Sequence, residues 1–314
     1  MRWSDLMANI LSFARKSATP APTEAAAIAA VLRGFSIEVM PRTAAKVEDF
    51  RALLPAGTRV YVAHVDGAAD AAEVAATCRR LADEGFAPTP HVPARGIVSR
   101  DELDRRLGMY ADAGARAALA IAGGIDKARG PYADTAAMLE TGLFDARGFT
   151  RIHVAGHPEG NRDIDPEGGE TAAMAALRRK AAFARKTDAA MAIVTQFAFE
   201  AAPIIDWAER LRAAGIALPV HVGVAGPAKL QTMIKFAMAC GVGPSLRVLQ
   251  RRAADLGNLI VPFQPTEVLA ALAQRKAADP EFQLEAVHLF PLGGIGATTD
   301  YAGAATAGPA RARA

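Results

Sequence analysis

The chain has 314 residues, 51% of them hydrophobic and 22% charged, which is enough apolar material for a large core and excludes a disordered state. Lys and Arg number 36 against 33 Asp and Glu, a slight excess spread along the chain that does not make a nucleic-acid-binding face. The two cysteines make no disulfide framework, and no apolar run approaches the roughly 20 residues that span a bilayer. A cytoplasmic homo-oligomer with reduced thiols and no nucleic-acid or membrane partner is expected.

Residues 1–33 read as an N-terminal helical extension, with Leu6, Ile10 and Leu11 on one stripe and a linker marked by Pro20 and Pro22. From residue 34 onward, short β-rich runs alternate with segments of helical period. The predicted strands are Ser36–Met40, Arg59–Val65, Pro88–Val92, Ala117–Ala122, Arg151–Ala155, Met191–Phe197, Pro219–Val224 and Ala286–Phe290. They are short and largely apolar, as strands covered on both faces should be. The fourth is alanine-rich and weakest on propensity.

Helical stripes fill the intervals. Val74, Cys78, Leu81 and Ala82 form one that stops at Gly85. Ser99 to Glu102 has the spacing of a capping box, with Leu103, Leu107 and Tyr110 following on one face and Gly114 ending the helix. Ile204, Trp207, Ala208 and Leu211 repeat the pattern up to Gly215. Pro227 opens a helix carrying Leu230, Ile234 and Ala237, and segments 244–256 and 265–276 precede the last strand. Eight strands, with helices between them, is the arithmetic of a (β/α)8 TIM barrel, which takes about 250 residues. A doubly wound sheet would want a Gly-rich first turn, whereas the first turn here is Met40-Pro-Arg-Thr. The expected organisation is the extension 1–33, a barrel over 34–300, and a flexible tail over 301–314.

In a barrel the chemistry stands at the C-terminal ends of the strands. Glu38 interrupts the apolar first strand, so it either pairs with a buried base or has a raised pKa and works as an acid. Gln196 ends strand six, where an amide suits a ligand with adjacent donors and acceptors, and Phe197 and Phe199 offer stacking faces. All six histidines lie in or just after strands, but no His-x-His pair, HExxH or strand-end aspartate completes a ligand set, and no metal is expected. The basic run of Arg178, Arg179, Lys180, Arg185 and Lys186 is mostly a solvated face, with one cation near the mouth able to meet a phosphate. Gly293-Gly-Ile-Gly296 follows strand eight, with no long helix expected after it.

Taken in order, several of these segments resemble methylenetetrahydrofolate reductase, the flavin-dependent barrel of one-carbon metabolism. Phe35-Ser-Ile-Glu38-Val-Met-Pro41 is similar to that family's Ser-Phe-Glu-Phe-Phe-Pro, Pro90-His91 to its Pro-His, and His157-Pro-Glu159 to its Tyr-Pro-Glu. Arg185-Lys186 followed by Ile193-Val-Thr-Gln196-Phe-Ala-Phe-Glu200 is similar to its Arg-Lys…Ile-Thr-Gln-Phe-Phe-Phe-Asp, the most specific part of a likeness covering roughly residues 34–300.

The resemblance implies an oxidoreductase in which NAD(P)H reduces FAD and the reduced flavin reduces 5,10-methylenetetrahydrofolate to 5-methyltetrahydrofolate, or the reverse oxidation. Glu38 would be the general acid, Gln196 the pterin-binding amide, and His91, Glu159 and Lys186 the flavin side, with His157 and the backbone N–H groups of Gly123 and Gly124 as substitutes for family contacts that this chain lacks. Where the family has Arg-Gly-Asp after strand four this chain has Ala122-Gly123-Gly124, and its Leu-Asn-Arg after strand eight is Leu292-Gly-Gly-Ile. These departures fall on the flavin side. They motivate an alternative, a flavin-free folate-binding barrel acting as a direct-hydride reductase or a non-catalytic partner. A metal-dependent barrel hydrolase, resting on the histidines, is a lesser alternative.

Overall fold

The structure, a computed structural model, describes residues 22–239 and 262–307. The early stripe at Leu6, Ile10 and Leu11, Cys240 and segment 244–256 lie outside the described residues. Eight parallel strands close into one barrel in sequence order: β1 (Ser36–Val39), β2 (Arg59–Val62), β3 (Ala87–Pro93), β4 (Ala117–Ile121), β5 (Arg151–Gly156), β6 (Ala190–Thr195), β7 (Val220–Ala225) and β8 (Leu284–Phe290). The ring is completed by Ser36 and Ile37 of β1 pairing with His288 and Leu289 of β8. The alanine-rich fourth run is a true strand, held by β3 and β5 on its two sides.

The helices are α1 (Pro22–Leu32), α2 (Pro41–Ala44), α3 (Ala71–Asp83), α4 (Arg100–Asp112), α5 (Thr135–Leu139), α6 (Leu143–Ala146), α7 (Thr171–Phe183), α8 (Ala202–Ala213), α9 (Leu230–Ala239), α10 (Thr266–Ala278) and α11 (Ile295–Ala307). Outward strand residues such as Ile37, Val62, Ile152, Ile193 and Leu289 meet the buried stripes Val74–Cys78–Leu81, Leu103–Leu107–Tyr110 and Ile204–Trp207–Leu211, so the main core is the annulus between barrel and helices. The α4 stripe begins where Ser99 Oγ accepts the Glu102 N–H. The Glu102 carboxylate, however, reaches back to the Val98 N–H and not to Ser99, so half of the expected box forms elsewhere. Gly114 ends that helix at φ +90, with a would-be Cβ only 2.7 Å from Ala82 Cβ.

Two expectations change at the chain's ends. Pro22 opens α1, which packs on α10, α11 and β8, so this proline belongs to a helix start and not to a linker. A long helix does follow the Gly293–Gly296 cluster: α11 continues to Ala307, so residues 301–307 are helical. Gly293 is there for close packing, since a Cβ would fall 2.0 Å from the Pro227 carbonyl oxygen. Among the described residues, no helix is long and apolar enough to cross a membrane.

Candidate active site

Period-two alternation turns one side chain of every pair into the barrel, and here the inward set is unusually polar. Glu38 on β1 is in register with Tyr61 on β2, and His91 (β3), His153 (β5), His221 (β7) and His288 (β8) also point inward. Among the described residues a small apolar group of Tyr61, Leu119 and Val194, with Ile121 packed against it, shares that interior. Glu38 lies nearest the mouth, with its side chain 21% exposed.

Two imidazoles converge on this carboxylate. His91 Nε2 is 3.1 Å and His288 Nε2 3.8 Å from the same Glu38 Oε2. Ser36 Oγ lies 2.9 Å from His288 Nδ1. A serine hydroxyl donating there leaves the His288 ring proton on Nε2, aimed at Glu38. Burial disfavours the Glu38 charge, but the His91 charge and the approach of the His288 and His91 imidazoles outweigh it and hold the carboxyl down at about 2. Of the two alternatives open for Glu38, the structure therefore shows the pairing, not a raised pKa. Burial outweighs the Glu38 interaction at His288 and keeps that imidazole below its usual range.

Gln196 stands part-exposed just beyond β6. Its backbone is clamped, with the N–H donating to the Gly156 carbonyl and the C=O accepting from Thr195 Oγ1, while Thr195 Oγ1 also accepts the Gly223 N–H. Gly223 makes this approach possible, because a Cβ would fall 2.4 Å from the Thr195 oxygen and 2.8 Å from that of Gln196. Phe197 and Phe199 are not the stacking faces expected. Both are buried, packed on each other and among Ala225, Leu230 and Met233. The ring left part-exposed at the mouth is Phe290, edge-on to His288 at 4.7 Å and to Phe197 at 5.4 Å. Alternation along β8 (Ala286, His288, Phe290) carries the signal for it.

The residues assigned to a cofactor divide. Gly123, at φ +94 and with room for no more than a Cβ contact on Pro93 at 3.0 Å, and Gly124, open on its Cβ side, form a bare rim after β4. His157 and Glu159 follow β5, at the same end. His91 is instead committed to Glu38. Lys186 is exposed in the turn between α7 and β6, at the opposite end of the barrel, roughly 20 Å of strand from Gln196. The cation whose charge is felt at His157 is Lys180, one of the basic run. It is nine-tenths buried, and burial lowers its ammonium to about 8, only partly offset by Asp134. Burial and then the Lys180 charge push His157 down to about 4, so it is neutral at physiological pH. Among the described residues, no group of three or more His, Cys, Asp or Glu is arranged to hold a metal ion.

No family model matches the chain. Among solved structures, it is similar to an uncharacterised protein from Clostridium thermocellum that binds two copies of 5-methyl-5,6,7,8-tetrahydrofolic acid. That match has a TM-score of 0.55 at 10% identity and covers 88% of this chain and 96% of the other, which places the two in one fold. An actinorhodin polyketide ketoreductase with NADPH matches at a TM-score of 0.27 and 16% identity over 76% of this chain and 97% of its own, below the level of a shared fold.

Proposed function

We propose that this chain is an oxidoreductase of one-carbon folate chemistry, interconverting 5,10-methylenetetrahydrofolate and 5-methyltetrahydrofolate with NAD(P)H as the hydride partner. The observation that carries this reading is the proton site at the barrel mouth, where Glu38 is paired with His91 and His288, with the Gln196 amide at the same mouth. The folate bound by the Clostridium thermocellum protein of the same fold supports the ligand class.

Opening the methylene bridge requires a proton on the departing nitrogen. Glu38 is a carboxylate in the open site, and the proton it can deliver is one passed to it by His91 in its imidazolium form, 3.1 Å away, which is left as the neutral ring. A ligand filling the mouth expels water and favours the neutral carboxyl over the charged one, which moves that proton onto Glu38 and toward the substrate. In the reverse direction the same carboxylate accepts it. Gln196, with a donor and an acceptor on one planar amide, matches the paired donors and acceptors of a pterin edge, and its clamped backbone fixes where that amide stands. Phe290 supplies an apolar face beside it.

The residues present fit FAD through one feature above all: Lys180 is a nearly buried cation with, among the described residues, no anion at hydrogen-bond distance, and its charge is felt at His157. The Gly123-Gly124 rim lets a ligand approach the backbone closely. Lys180, His157, Gly123 and Gly124 would hold the flavin dinucleotide, which supplies two-electron storage between NAD(P)H and folate when bound. A second reading, direct hydride transfer without flavin, is favoured by His91 turning to Glu38 and by Lys186 standing at the far end. Equilibrium titration of apoprotein with FAD, with turnover followed in parallel, decides between them. Activity that rises with flavin occupancy supports the first reading. Full NADH-linked turnover by flavin-free protein establishes the second, and no folate turnover under either condition overturns both.

A further inference from the structure

We propose that Tyr61 is a positioning residue of the proton site, a wedge pinned by its hydroxyl to His153 that keeps the His91 and His288 imidazoles on Glu38. The inference rests on the reading of Glu38 as the proton site and assigns a residue that no motif singled out.

Tyr61 is fully buried, in register with Glu38 on the neighbouring strand, and its ring crosses the barrel interior from β2 to β5. There its hydroxyl bonds to His153 Nδ1. The ring lies among three imidazoles: 4.4 Å between centroids and tilted on His288, 6.4 Å and edge-on to His91, 5.8 Å and nearly parallel to His153. Both rings that touch Glu38 therefore lean on one phenol. The charged groups facing it are Arg59 and Arg151, at the starts of β2 and β5, and Glu38 toward the mouth.

Burial fixes the charge states of this pair. It pushes the Tyr61 phenol above its usual value and the His153 imidazole well below its own, so the bond joins a neutral phenol to a neutral imidazole, and with the His153 proton on Nε2 the phenol is the donor. His153 in turn stacks edge-on against His221 at 4.6 Å, and His221 Nε2 is 2.6 Å from Glu285 Oε2 at the far end of the barrel. The wedge is thus braced from below as well as tied at its tip. A phenylalanine in its place would fill the same space without the tie, leaving the ring free to rock and His288 free to leave both Glu38 and the Ser36 hydroxyl that sets its tautomer.

Imidazole 15N spectra of the whole protein test this, because they read His91 and His288 directly whether or not turnover occurs. In the parent, His288 should show one neutral tautomer with its proton on Nε2. In Tyr61→Phe, which should fold, His288 should show mixed tautomers, and kcat should fall roughly ten- to a hundredfold with KM for folate unchanged, the size of effect expected of a misplaced catalytic group. His153→Leu should reproduce the Tyr61→Phe spectrum, and His153→Gln, whose amide oxygen can accept the same O–H, should retain the parent pattern. Parent-like tautomers in both Tyr61→Phe and His153→Leu would overturn the proposal. A parent whose imidazole signals do not respond to 5-methyltetrahydrofolate would count against the folate reading and leave the result on Tyr61 standing.

Discussion

Replacing Glu38 by Gln keeps the side chain's shape and removes its charge, so it isolates what the carboxylate does for the barrel. In the folded protein this carboxyl titrates at about 2, against 4.5 for the free group, because the His91 charge and the approach of the His288 and His91 imidazoles overcome the penalty of burial. At roughly 1.4 kcal/mol per pH unit the difference is about 3 kcal/mol. That is an upper figure, since the side chain keeps 21% exposure and water screens the pair. The folded value lies below the unfolded one, so this stability is present above 4.5 and is lost as the pH falls from there toward 2. The parent should therefore lead Glu38→Gln by up to about 3 kcal/mol at neutral pH, and the lead should shrink to about 1 kcal/mol near pH 3. Urea unfolding of both proteins across that range measures it. Parallel stability curves for parent and variant would refute the ion pair and the account of the site built on it.

Lys180→Met should weaken FAD binding roughly ten- to a hundredfold, the cost of one charged contact, while Lys186→Met should leave it unchanged; titration of both apoproteins measures this, and equal effects would contradict the placement of the two lysines. Gly223→Ala forces a methyl against the Thr195 and Gln196 carbonyls and the Phe290 ring. It should cost about 1–3 kcal/mol in thermal unfolding and lower folate affinity together, and a variant as stable as the parent would show that the β6–β7 approach is not tight. Asp165 is buried and accepts the Ala172 and Ala173 N–H groups at the start of α7, so Asp165→Ala should destabilise by about 1 kcal/mol without changing ligand affinity, as read by denaturation and binding on the same preparations.

The barrel was legible in the sequence because its strands are short apolar runs closed by glycine and proline, and because the stripes between them have helical period. Even the alanine-rich β4 followed from its place in the alternation. The short helices α5 and α6 carry too few turns for a periodic signal, and the helix after β8 is rich in alanine, glycine and threonine, with no apolar stripe to show it. At the site, Glu38 stood out as a carboxylate in an apolar strand, but its partners did not: His91 and His288 come from strands about 50 and 250 residues away in sequence, and only closure of the ring brings them together. Nothing in the sequence distinguishes Tyr61 from an ordinary strand aromatic, because its role depends on its register with Glu38 across β1 and β2. Lys180 and Lys186 sit in one basic run, and which one is buried within electrostatic reach of His157 depends on where α7 ends, a boundary that charge composition does not mark. The phenylalanines after Gln196 were misjudged because a ring at a strand end can face the mouth or pack beneath the next helix, and α9 covers these two.

The most direct test of the central claim is formation of 5-methyltetrahydrofolate from 5,10-methylenetetrahydrofolate and NADH, with FAD saturating, by the parent and by Glu38→Gln at equal folate occupancy. General acid catalysis is worth roughly a hundred- to ten-thousandfold, so the account predicts turnover by the parent and a loss of that size in the variant, with folate binding retained. A parent that binds folate without turning it over, or a variant within a few-fold of the parent, would contradict it.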